Sequence, residues 1–169
     1  MNTRQPPHPS AMETSITIVP VALEEQNRRI DSAIAQRAYE IFEKRGGMGW
    51  HELEDWRQAE AEIRSRLCIG LTTRNHSVII GTDVAQFDSG TLQIWAAPRQ
   101  ITICGKSRSH GAPLVKTHAN AEGHMTFRQI QLPCAVDCTG ARTKVHGKFL
   151  EIQLPKAMAP PQTQRATAA

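Results

Sequence analysis

His110, His118 and His124 are the only three of the seven histidines that fall within one segment of this chain. Three imidazoles on one loop would bind a metal ion or titrate near neutral pH. Their separations of eight and six residues match no compact ligand spacing, so they read as solvated loop residues. Glu52, Glu54, Asp55, Glu60 and Glu62 form the other dense set of ligand types. With only His51 beside them, a solvated helix face explains them better than a metal site. The cysteines Cys68, Cys104, Cys134 and Cys138 include no Cys-x-x-Cys pair and read as reduced thiols. No serine sits in a glycine-flanked elbow, and neither a phosphate loop nor a dinucleotide fingerprint is present. The expectation is a protein that is not an enzyme and uses no cofactor.

Charge and hydropathy narrow the partners. Residues 1–66 carry nine Lys/Arg against eleven Asp/Glu, and residues 67–169 carry eleven against five. The basic excess therefore belongs to the second part, where it is spread out with no aromatic stacking platform beside it, and this argues against nucleic acid. No run of about 18 apolar residues is present to span a bilayer. The most apolar early run, Ile16 to Leu23, is short and contains Pro20. A soluble, cytoplasmic chain with no membrane partner is the reading.

Periodicity supplies the elements. Residues 1–25 are taken as a disordered arm, with Pro6, Pro7 and Pro9 among polar residues, ending in the β-prone Ile16-Thr17-Ile18-Val19. Over residues 26–67 the pattern turns helical. Ile30, Ile34, Ala38, Ile41 and Phe42 recur at helical spacing from Asn27 to Lys44, Gly46-Gly47-Met48-Gly49 breaks the helix, and a second stripe (Leu53, Trp56, Ile63, Leu67) follows from His51 to about Leu67. The two stripes should face each other in a helical hairpin, with Trp50 and Trp56 in its core. From residue 72 to 156 the period is that of strands. Val78 to Val84, Leu92 to Ala96, Ile101 to Gly105, Arg128 to Pro133 and Phe149 to Pro155 alternate or run apolar between turn residues. Residues 106–125 read as a long loop with Leu114-Val115 as their only apolar pair, and 157–169 as a disordered tail. The expected fold class is α+β: an N-terminal helical hairpin followed by an all-β, immunoglobulin-like sandwich.

Two resemblances follow from these residues. Arg37-Ala38-Tyr39-Glu40, the glycine turn, His51 to Trp56 and Ala59-Glu60 resemble a small bacterial helical domain of unknown function. Val84-Ala85-Gln86-Phe87-Asp88, Leu92-x-Ile94, Ile101 to Gly105, Arg128-x-Ile130-x-Leu132-Pro133, Val136-Asp137 and Leu154-Pro155-Lys156, in that order, resemble the alpha-crystallin domain of small heat-shock proteins. Two departures stand out. Thr143 and Gly147-Lys148 replace that family's alanine and Asn-Gly before the last strand, which leaves the turn type and register there open, and the tail lacks an Ile-x-Ile anchor.

The second resemblance implies a groove between the Leu92 to Ala96 and Ala141 to Val145 segments, lined by Leu92, Ile94, Ala96, Ala141, Thr143 and Val145. It also implies a structural, dimer-bracing role for Arg128 and for Leu114 and Val115. Arg128 should share the face of Ile130 and Leu132 as a partly buried cation with a carboxylate or carbonyl partner. Ile16 and Ile18 are the candidate docking arm for the groove. The implied function is an ATP-independent holdase that binds exposed apolar segments of unfolding client proteins and works as a homodimer or larger homo-oligomer. The alternative is a non-catalytic adaptor that offers the sandwich and hairpin to a specific protein partner.

Overall fold

The structure, a computed structural model, describes residues 16–47, 49–108 and 123–157. Leu114, Val115, His110, His118 and most of the expected arm and tail lie outside them. The described chain runs β1 (Ile18–Pro20), α1 (Leu23–Lys44), α2 (Glu52–Ile63), β2 (Ile69–Thr73), β3 (Ser77–Asp83), β4 (Gln93–Ala97), β5 (Gln100–Lys106), β6 (Met125–Gln131), β7 (Arg142–His146) and β8 (Phe149–Pro155). Two four-stranded sheets form, ordered β1-β4-β5-β6 and β2-β3-β8-β7. All pairings are antiparallel except β1 with β4.

Strand alternation builds the sandwich. Val78 and Ile80 from β3, Ile94 and Ala96 from β4, Ile101 and Ile103 from β5, Ile130 from β6 and Leu150, Ile152 and Leu154 from β8 point inward into one buried cluster. Phe87, in the turn after β3, is buried with them. Fully burying each such aliphatic side chain is worth about 1.5–3 kcal/mol, so this layer dominates the stability of the β part. The β7–β8 hairpin closes on Gly147-Lys148, with Val145 opposite Leu150 and Thr143 opposite Ile152. Gly147 has φ +63°, the left-handed conformation a two-residue hairpin demands and glycine adopts freely.

The helices form a third layer. Ile30 and Ile34 from α1 and Ala59 and Ile63 from α2 share a second buried cluster with Trp95, Cys104 and Phe127, which project from the outer face of the first sheet. The hairpin thus packs on the sheet as well as on itself. Two ion pairs tie the helices together: Arg37 to Glu62 at 2.6 Å and Arg45 to the buried Asp55, also at 2.6 Å.

Several expectations are corrected. Trp50 is 99% exposed and Trp56 38%, so neither forms the hairpin core. The buried apolar residues of the hairpin lie in the first half of α1 and the second half of α2, and the tip carrying Tyr39, Trp50 and Leu53 is left in solvent. The second helix ends at Ile63, not near Leu67; Arg64 bridges Phe127 and the Ser65 N–H donates to the Phe127 carbonyl at 2.9 Å, so the chain seals the β6 edge instead of continuing as helix. Ile69–Thr73 is a strand the alternation did not reveal.

Candidate binding groove

The first sheet is completed by a three-residue strand added at its edge. Ile18, Val19 and Pro20 lie parallel to Ile94, Trp95 and Ala96, and the Val21 N–H donates to the Ala96 carbonyl at 2.9 Å. Proline has no donor to extend the ladder, which limits the strand. Two residues before β1 the chain reaches the facing sheet. The Ile16 N–H donates to the Thr143 hydroxyl at 3.0 Å, and that hydroxyl donates to the Ile16 carbonyl at 2.7 Å. Ile16 and Ile18 both pack, partly buried, against the sandwich core, so the segment bridges β4 and β7 across the open side of the sandwich.

The six groove residues divide into two kinds. Ile94 and Ala96 are fully interior and act as core beneath the arm. Leu92, Ala141, Thr143 and Val145 are partly buried at the rim. A cavity of about 280 Å³ remains beside the arm, with Ile16, Phe87, Leu92 and Val145 among its walls. Two of these walls abut Gly105: a Cβ there would lie 3.0 Å from Phe87 Cδ1 and 3.3 Å from the Leu92 Cα.

Arg128 faces Ile103 across the β5–β6 pair and shares the inward face with Ile130, as expected. The expected carboxylate or carbonyl partner is not found among the described residues, where its Nε is buried without a hydrogen bond.

The outer face of the first sheet carries an arrangement that strand alternation did not reveal. Gln26, fully buried on α1, donates from Nε2 to the Val21 carbonyl at 2.8 Å and accepts at Oε1 from the Thr102 hydroxyl at 2.7 Å. Gln100 Nε2 also donates to Gln26, at 3.4 Å, and Gln131 donates to Gln100 at 2.5 Å. Beside this row the Trp95 and Phe127 rings lie 5.5 Å apart, and the Arg29 guanidinium stacks 5.1 Å from the Trp95 ring centre. Cys104 lies beneath the helices, where burial pushes its thiol up to about 12 against the weaker opposing pull of Arg29. A thiol so held is not a nucleophile. The only sequence signal for this face is an aromatic residue at an outward position of an alternating strand.

Among the described residues no group of three or more His, Cys, Asp or Glu side chains is placed to hold a metal ion, and no helix is long and apolar enough to cross a membrane. Nothing in the groove pairs a nucleophile with a base; its walls are mainly apolar, with Ser89, Arg108 and Lys148 also lining the cavity and the Thr143 hydroxyl clasping the arm. Such a site can hold an extended apolar segment by strand addition and side-chain burial.

Residues 31–65 match a family model described as a protein of unknown function, DUF2934. No curated protein sequence matches the chain. Among solved structures the chain is similar to heat shock protein 16.0 from Schizosaccharomyces pombe, at 15% identity and a TM-score of 0.45, over 63% of this chain and 99% of that one. It is also similar to HspA from Xanthomonas axonopodis, at 18% and 0.44 over 56% and 96%, and to a small heat-shock protein from Xylella fastidiosa, at 16% and 0.44 over 60% and 96%.

Proposed function

We propose that this protein is an ATP-independent holdase of the small heat-shock type, which keeps unfolding proteins soluble by burying their exposed apolar segments along the β4–β7 groove. The observation that carries the reading is the arm itself: Ile16 and Ile18 lie between β4 and β7 with backbone bonds to both sides. A groove that accepts Ile-x-Ile through main-chain bonds selects for extended apolar chain and little else, which is the specificity a holdase needs. The arm occupies it in cis, and a client competes with it. Leu92, Thr143 and Val145 form the rim that a client contacts once the arm leaves. Homo-oligomers add weak sites into useful avidity, and the β2 edge, paired only with β3 among the described residues, is available for a second copy.

The test follows light scattering of a heat-denaturing model protein. Suppression at a several-fold excess is expected, with stronger suppression from Ile16→Ser/Ile18→Ser, whose arm no longer holds the groove. Absence of suppression by either protein would overturn the reading. The exposed Tyr39, Trp50 and Leu53 at the hairpin tip favour a second reading as an adaptor, in which scattering is unaffected and one defined partner is retained by the tip.

A further inference from the structure

The two faces of the β4–β5–β6 sheet differ in chemistry. Inward it presents Ile94, Ala96, Ile101, Ile103 and Ile130, an aliphatic layer interrupted by Arg128 of β6. Outward it presents Trp95, Cys104 and Phe127 beside Gln100, Thr102 and Gln131. Half-polar outer faces are typical of sheets that meet water, yet here the hairpin lies over it. The interface it makes is held by a row of amide and hydroxyl bonds as well as by side-chain burial. Such groups exchange their partners for water at small net cost when they separate, whereas parting the inner layer would expose mainly aliphatic surface.

The attachments of this cover are uneven. At one end the Ser65–Phe127 backbone bond and the Arg64 bridge fix the segment after α2 to β6. Elsewhere the cover is held by the short β1, the two Thr143 bonds, Gln26, and Asn27, which accepts from Gln129 of β6 at 3.0 Å while Gln129 accepts from Arg64 at 3.1 Å. Gln26 joins arm, helix and sheet at one point, since it bonds Val21 and Thr102 together.

We propose that arm and hairpin form a single cover, hinged near Arg64–Ser65 and latched by Gln26, that lifts from the folded sandwich and exposes the Trp95–Phe127 face as a second binding site for apolar segments of unfolding polypeptides. The occupant follows from what fills the face now, the aliphatic side chains Ile30, Ile34 and Ile63 of amphipathic helices; a client segment of the same chemistry replaces them. The binding half of this inference rests on the holdase reading, and the lifting half does not. Gln26 is a positioning residue that touches no client.

Cys104 reports the opening, because it is buried beneath the cover on the same strand as the inward-facing Ile103. In full-length protein with Cys68, Cys134 and Cys138 changed to Ser, maleimide labelling of Cys104 below the melting temperature is compared with amide exchange of Ile101 and Ile103. Labelling faster than exchange of the inner strand is expected, and Gln26→Ala should accelerate it about tenfold with inner-strand exchange nearly unchanged. Labelling that tracks inner-strand exchange in both proteins would overturn the cover. A photo-crosslinking residue in place of Trp95 should then trap heated model client. Suppressed scattering with no crosslink at position 95 overturns the second site alone, whereas no suppression overturns the holdase reading and leaves the labelling result standing.

Discussion

Thr143 holds the backbone of Ile16 from both sides, its single hydroxyl accepting from the Ile16 N–H at 3.0 Å and donating to the Ile16 carbonyl at 2.7 Å. A Thr at this inward-facing strand position thus acts as a two-point clasp for a segment 127 residues away in sequence. Thr143→Val keeps the shape and the strand preference but removes both bonds, each worth about 0.5–1.5 kcal/mol net. Amide protection at Val19 and Val21 is expected to fall about 5- to 30-fold, while the cooperative melt of the sandwich moves little. Unchanged protection in hydrogen exchange would mean that Ile18 and β1 pairing alone retain the arm.

The hairpin should be sensitive to acid through one cluster. Arg37 lies between Glu40 at 2.8 Å and Glu62 at 2.6 Å. For Glu40, the hydrogen bond from Arg37 holds the carboxyl below the usual carboxylate value of 4.5. For Glu62, burial opposes ionisation, but hydrogen bonds from Gln58 and Arg37 and the Arg37 charge overcome it and the net direction is again downward. Groups depressed on folding contribute stability that is fully present above the unfolded value and is lost as pH falls through the folded one. Helical ellipticity at intermediate denaturant should therefore decline as pH drops below about 4.5. In Arg37→Met the hairpin should be weaker at neutral pH and its stability flatter across the same window. Equal slopes for the two proteins would show that these pairs are not the acid-sensitive contacts.

The inner alternation of β3, β4, β5, β6 and β8 was legible because strand side chains change face at every residue and one face is buried. The hairpin was legible from its apolar period, and its glycine break from Gly46, Gly47 and Gly49, all at positive φ. What failed was non-local. Nothing in Gln93-Ile94-Trp95-Ala96-Ala97 says that both faces are covered, since the cover for Trp95 comes from helices roughly 30 to 65 residues earlier. The same fact explains Trp50 and Trp56: part of the apolar stripe of each helix is spent on the sheet, and the aromatic tip beyond it has nothing to bury against. Ile69–Thr73 escaped notice because Gly70, Thr72 and Thr73 dilute its pattern. Gln26 carries no local signal at all, because an amide in the first turns of an amphipathic helix is ordinarily solvated.

Gly105 marks the closest approach of β5 to the turn that carries Phe87. A Cβ there would meet the buried Phe87 ring at 3.0 Å and the Leu92 backbone at 3.3 Å. Neither neighbour yields easily, one being packed in the core and the other main chain. Gly105→Ala should cost about 1–3 kcal/mol by overpacking, read as a lower denaturant midpoint with an unchanged slope. It should also reshape the cavity by Leu92 and weaken binding of an Ile-x-Ile peptide to arm-deleted protein. A midpoint equal to the parent would mean that Phe87 shifts freely.

Arg128 offers the sharpest test of whether the chain is complete by itself. Its Nε is buried without a hydrogen bond among the described residues, and a buried donor left unsatisfied costs about 1–3 kcal/mol. Arg128→Met preserves the aliphatic stem that packs beside Ile103 and Ile130 while deleting the unsatisfied donor. If the single chain is the relevant unit, the substitution should leave the denaturant midpoint unchanged or raise it by up to that amount, independently of protein concentration. If a second copy supplies the missing acceptor, the parent should gain stability with concentration and Arg128→Met should lose that dependence, because removing one partner of a buried charge pair is strongly destabilising. Unfolding curves at two protein concentrations a hundredfold apart separate these cases, since linkage to association converts such a dilution into about 2.7 kcal/mol for a partner that binds only the folded state.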